Sequence, residues 1–187
     1  MNLDLLETGS PVVELVGALS EKARNAGQLR AVSVAKGARL FDQGAQIETV
    51  FMLQSGLVKL VYETVDGDEW IKSLIADCGL FGPSNSDEGK AIAYSARAIE
   101  PCTLGQVPLN WIIQTFSTSP DMVMAYAGFV NWVRHRKETR EAALLCQSAE
   151  ERYRGGLIYP NSRSRFISGP SAACRRMPSW YRHTGRA

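Results

Sequence analysis

The chain changes its hydrophobic period twice. Between Pro11 and about Asn25 the apolar residues Val12, Leu15, Val16 and Leu19 recur at i, i+3, i+4 and i+7, the stripe of an amphipathic helix. Ser10 supplies an N-cap hydroxyl, Pro11 suits the first helical position, and Gly27 marks the stop. From about residue 30 the period falls to two. "RAVSVAKGARLF", "TVFMLQSGLVKLVYETVDGDEWIKSLI" and "YSARAIEPCTLGQVP" alternate, and "DQGAQ", "SG", "DGD" and "CGLFG" punctuate them. Short β-branched and aromatic runs between glycine-bearing turns predict an antiparallel β-sandwich or barrel. Asp66-Gly67 predicts a two-residue hairpin turn, and Gly44 and Gly56 predict tight corners.

The helical period returns at Ser119, a candidate N-cap, followed by Pro120 at the first position and Asp121 where the helix dipole favours a negative charge. No further proline interrupts before Arg154, which predicts one helix over 120–154, roughly 50 Å long at 1.5 Å per residue. Val123, Ala127, Val130 and Val133 form an apolar stripe at heptad-like spacing, and Leu144 resumes it after the polar "RHRKETRE". A single small β domain does not cover so long a helix. The stripe is therefore expected to pair with a second copy in a homodimer; a helix packed on its own domain alone is the alternative.

Composition limits the rest. The chain has 187 residues, 45% of them hydrophobic, enough for one sizeable core and appendages. No apolar run approaches the roughly 18 to 20 residues of a membrane span. The N-terminus "MNLDLLETGSPVVEL" carries acids where a signal peptide carries basic residues, so a cytoplasmic protein without a membrane partner is expected. Cys78, Cys102, Cys146 and Cys174 are scattered without a CxxC pair, which predicts buried free thiols rather than a zinc ribbon or a disulfide framework. The strand region contains no histidine, so a metal enzyme built on a β-barrel lacks its usual ligands and no catalytic or metal-binding residue is assigned.

The candidate chemistry lies in "CGLFGPSNSDEGKAIAYSARAIEPC", Cys78 to Cys102. Two glycines flank Phe81, so backbone N–H groups there can face an anion. This stretch, with "LFDQGAQIETVFMLQSGLVKLVY" from Leu40 to Tyr62 and its glycines Gly44 and Gly56, resembles the Crp/Fnr family of bacterial regulators. The resemblance runs from about Ala31 to Arg154. It implies an α+β fold: an eight-stranded antiparallel β-roll of the cyclic-nucleotide-binding type, with an N-terminal helix and a long C-terminal dimerisation helix. It also implies a phosphate-binding cassette, approximately F-G-E, a short helix, then R-[ST]-A. Backbone N–H groups and the arginine neutralise a cyclic phosphate, and the glutamate accepts from a ribose hydroxyl.

Here Phe81-Gly82 match, but Pro83 stands in the glutamate position. Ser95-Ala96 match, but Tyr94 stands in the arginine position. Proline removes both a carboxylate and an N–H, and tyrosine carries no positive charge. Cyclic AMP is therefore not expected to bind, and no cofactor is identified. Ser84, Asn85, Ser86, Tyr94 and Ser95 remain as hydrogen-bonding groups for an unidentified small-molecule effector, and the middle of the long helix brings Lys137, Glu138 or Thr139 toward the pocket, Lys137 as a substitute charge. A pocket filled by its own side chains is the alternative. Arg97, an odd offset from Tyr94, is expected on the opposite face. Iron–sulfur and haem versions of the family find no support: no cysteine precedes Cys78, and the histidines are His135 and His183.

The last 33 residues break the pattern. Residues 155–187 hold six arginines and no acid, leaving 15 basic residues against 19 acidic ones before them. They show no helical or strand period where the family places a winged helix-turn-helix, and their composition predicts a disordered, basic tail. The expected organisation is a helix plus β-roll sensor over 1–119, a dimerisation helix over 120–154, and a tail over 155–187 that reads as an out-of-frame replacement of the DNA-binding domain. The function this implies is a ligand-responsive transcription regulator that contacts DNA only through an intact C-terminal domain. The alternative is a stand-alone sensor or protein-interaction module without DNA binding.

Overall fold

In the computed structural model, residues 11–76, 78–83, 91–148 and 151 are described. The tail over 155–187 lies outside them. Helix α1, Pro11–Asn25, is followed by eight strands: β1 Arg30–Val34, β2 Arg39–Phe41, β3 Thr49–Ser55, β4 Val58–Glu63, β5 Glu69–Ile75, β6 Gly79–Phe81, β7 Ser95–Ala98 and β8 Cys102–Pro108. Helices α2, Leu109–Thr118, and α3, Pro120–Cys146, complete the order. The strands form two antiparallel four-stranded sheets, β1-β8-β3-β6 and β2-β7-β4-β5. This is the α+β roll expected, with a helix at each end.

Strand β3 explains why its sequence is apolar almost throughout. Phe51 and Leu53 face the second sheet and join Phe41, Leu60, Phe81, Ala96 and Leu104 inside the roll. Val50 and Met52 face the other way, against Leu15, Val16 and Leu19 of α1, Ile112 of α2 and Met122 of α3. One sheet thus separates two cores, and its central strand is buried on both faces. Gly56, between β3 and β4, is required twice over. Its φ is +101°, and a Cβ there would lie 2.5 Å from the Pro101 carbonyl oxygen and 2.7 Å from Cys102 Sγ.

Four local expectations need correction. The hairpin after β4 is wider than a two-residue turn: Thr64 and Asp68 close it, the Gly67 N–H donates to the Thr64 carbonyl at 3.0 Å, and Gly67 alone takes a positive φ. Helix α2 was not expected from the sequence, although Leu109, Ile112, Ile113 and Phe116 carry the helical period. Helix α3 stops at Cys146 rather than near Arg154. The Ser148 N–H donates to Glu151 Oε2 at 2.7 Å and the Glu151 N–H donates to Ser148 Oγ at 3.2 Å, a reciprocal capping box that starts a new helical segment. Among the cysteines, Cys102 is a buried free thiol as expected, Cys146 is free but exposed, and Cys78 is disulfide-bonded.

Candidate functional site

Strand β6 ends at Phe81, and the chain turns at Gly82 beside β3. Gly82 has a φ of +128°, and a Cβ would lie 3.0 Å from the Thr49 carbonyl oxygen and 3.2 Å from Val50 Cα. Glycine is thus fixed here by backbone conformation and close approach, independently of any ligand. Pro83 follows, buried. Ser84, with Asn85 and Ser86, lies outside the described residues. The chain returns at Ile92, whose N–H donates to the Ala45 carbonyl while its own carbonyl accepts from Gly44.

Tyr94 closes the turn from the opposite side. Its hydroxyl donates to the Gly82 carbonyl at 2.9 Å and accepts from the Gly82 N–H at 3.3 Å. The ring stands edge-on to Phe41, with centroids 5.6 Å apart, above the stacked Phe51 and Phe81 rings at 5.3 Å. The phenol therefore satisfies the Gly82 N–H that the cassette comparison assigns to a phosphate. An anion arriving there would have to displace an intramolecular bond worth about 1 kcal/mol net.

The neighbouring site residues are used internally as well. Ser95 is fully buried, and its Oγ accepts from the Gln43 N–H at 2.8 Å. Ala96, also fully buried, pairs with Leu60 and Phe41 in the ladder. Arg97 points to the outer face, where it bonds Glu63 at 2.7 Å and also Glu69, which in turn accepts from Lys59. The Lys59 bond, followed by the charge of Arg97, holds Glu69 below the usual carboxylate range. Phe81, Gly82, Pro83, Tyr94, Ser95 and Ala96 are thus brought together around one turn. Lys137 is on the exposed side of α3.

Sequence reasoning missed Lys72. In the β4–β5 pairing, Leu60 faces Ser73 and Val61 faces Ile71, so Lys72 is the extra residue of a β-bulge. The bulge redirects its half-buried side chain over Tyr94, with Nζ 4.3 Å from the ring centroid. Burial, then the nearby charge of Lys137, lowers the pKa of Lys72 from the ordinary lysine value. The displaced backbone is captured by α3: Arg140 Nη1 donates to the Lys72 carbonyl at 2.9 Å and Nη2 to that of Ile71 at 3.4 Å. A bulge carries no signature in residue types alone, which is why alternation did not reveal this lysine.

The stripe expected on α3 divides by exposure. Met122, Ala125, Tyr126, Phe129 and Trp132 pack toward α1 and α2, while Val123, Ala127, Val130 and Leu144 are exposed and Val133 is half-buried.

Residues 31–119 match the family model described as the cyclic nucleotide-binding domain. These residues belong to that family. Structural neighbours of the domain are Crp/Fnr-family regulators. FixK2 from Bradyrhizobium japonicum is 19% identical at a TM-score of 0.58, covering 66% of this chain and 61% of its own. The sensor domain of the transcriptional regulator DNR from Pseudomonas aeruginosa is 18% identical at 0.55, covering 73% and 91%. The Thermus thermophilus catabolite activator protein is 20% identical at 0.54, covering 75% and 62%. At these identities the likeness establishes the fold. The chain spans less than two thirds of the length of FixK2 and of the Thermus protein. No curated protein matches the chain in sequence.

Proposed function

We propose that the chain is the sensor and dimerisation part of a Crp/Fnr-type transcription regulator whose cradle has been converted from cyclic-nucleotide binding to another use. The observation that carries this reading is Tyr94. It stands in the position of the cassette arginine and bonds both polar groups of Gly82. Without the arginine, a cyclic phosphate loses its main counter-charge, a cost of a few kcal/mol for a buried anion. Dimerisation is supported by the exposed Val123, Ala127, Val130 and Leu144 along one side of a helix about 40 Å long. The same stripe gives a second copy of α3 its docking surface.

In this reading the unit over 1–119 senses, the helix from Pro120 pairs, and DNA is contacted only through an intact domain beyond the capping box at Ser148. The protein is a cytoplasmic regulator rather than an enzyme, and its effector is a small molecule. Among the described residues no helix is long and apolar enough to cross a membrane.

Sedimentation equilibrium and a mobility-shift assay across salt concentrations test the reading together. A dimer at micromolar concentration is expected. Sequence-specific DNA binding that persists near 200 mM salt supports a complete regulator. A dimer whose DNA binding disappears by then is a protein-interaction module, and a monomer contradicts the dimerisation helix.

A further inference from the structure

The outer face of the β4–β5–β7 sheet neutralises its cations in pairs. Lys59 has Glu69, and Arg97 has Glu63 and Glu69. Lys72, on the same strand as Glu69, is treated differently. It is withdrawn from that face by the bulge, half-buried over Tyr94, and among the described residues no carboxylate pairs with it. The closest charge opposing its protonation is another cation, Lys137. Arg140, three residues along α3 from Lys137, holds the carbonyls of Ile71 and Lys72, so the helix and the bulged strand are tied at this point.

Two lysines from two elements thus converge beside Tyr94 without an anion between them. Burying an unpaired ammonium is costly, and a methionine would fill the same volume without that cost. The arrangement becomes favourable when a negative group sits between the two ammoniums, since mutual repulsion then turns into two charge-assisted bonds. Lysine is well suited to such a position, because each ammonium is a compact charge with three rotatable donors and imposes no bidentate geometry on its partner. The ring face of Tyr94 keeps Lys72 in place by cation–π attraction before any ligand arrives.

We propose that Lys72 and Lys137 together bind the oxyanion of a small organic effector, a carboxylate or a phosphate monoester, beside Tyr94, at a site displaced from the old phosphate cradle. The inference rests on the sensor reading above and names its ligand class. It also gives the sensor an output, because the two ammoniums belong to the roll and to α3, so a bound anion draws one onto the other.

Equilibrium dialysis of the full chain with labelled inorganic phosphate and labelled benzoate, at low ionic strength, tests the site. Wild type, Lys72→Met, Lys137→Met and the exposed control Lys36→Met are compared, with sedimentation run on the same samples. Saturable binding of either probe by wild type is expected, weakened about tenfold or more by each of the first two substitutions and unchanged in the control. Phosphate alone identifies the phosphate monoester class, benzoate alone the carboxylate class, and either supports the site. No saturable binding, equal loss in the control, or indifference to one of the two lysines overturns it. Lys137→Met lies on an exposed helix surface and keeps the test informative should Lys72→Met fail to fold. Dimers that bind neither probe reject this site and leave the sensor reading standing, whereas monomers reject the dimerisation on which that reading depends.

Discussion

At the scale of single residues, the site is governed by how the polar groups of one turn are satisfied. Gly82 is glycine because of its backbone, Ser95 is serine because Gln43 donates to it, and Tyr94 completes the turn. The replacement of the arginine by Tyr94 was legible in the sequence; its double bond to Gly82 was not, because a phenol reaches that peptide only after β6 and β7 are in place. Lys72 was not legible at all, since strict alternation assigns its face wrongly once a bulge intervenes. Its burial has a consequence for stability. The folded protein disfavours the charged lysine, so the unfolded chain binds the proton more tightly. The penalty is fully present below the lowered folded pKa and vanishes as pH rises to the ordinary lysine value of 10.5. Thermal unfolding from pH 7 to 10.5 should therefore show wild type gaining on Lys72→Met as pH rises, with the variant melting at or above wild type at pH 7; parallel curves would mean that the lysine carries no penalty.

At the scale of elements, patterns that depend on one face were readable and those that depend on neighbours were not. The limits of α1 follow from Pro11 and the apolar period, and the strands follow from alternation and glycines. Helix α2 hides directly behind β8, where Pro108 ends the strand and also precedes the first helical residue. Sequence alone carries α3 past Cys146 because no proline or glycine stops it; the break comes from the Ser148–Glu151 capping box, a local competition won by side-chain bonds. Along α3, Val123, Val130, Lys137 and Leu144 are spaced by sevens. In a parallel helix pair these positions repeat along one seam, so Lys137 places a charge in an otherwise apolar row. Lys137→Leu should tighten the dimer by about tenfold or more, as read by the dissociation constant in sedimentation. An unchanged constant would place the seam on another side of the helix.

At the scale of the molecule, one sheet separates two cores, one inside the roll and one shared by the three helices. The cradle belongs to the first core, and α3 belongs to the second. Arg140, bound to the backbone of the β5 bulge, is a polar link between the helix and the roll's other sheet. The fold was legible because eight strands and a long helix leave repeated signatures; the use of the cradle was legible only where it departs from the family pattern, at Pro83 and Tyr94. The central claim is that the cradle keeps its outline while its own phenol occupies the phosphate's place. Calorimetric titration of the full chain with cyclic AMP measures this most directly. No saturable heat is expected up to about 1 mM nucleotide, whereas binding at micromolar concentration, worth roughly 8 kcal/mol, would contradict the account.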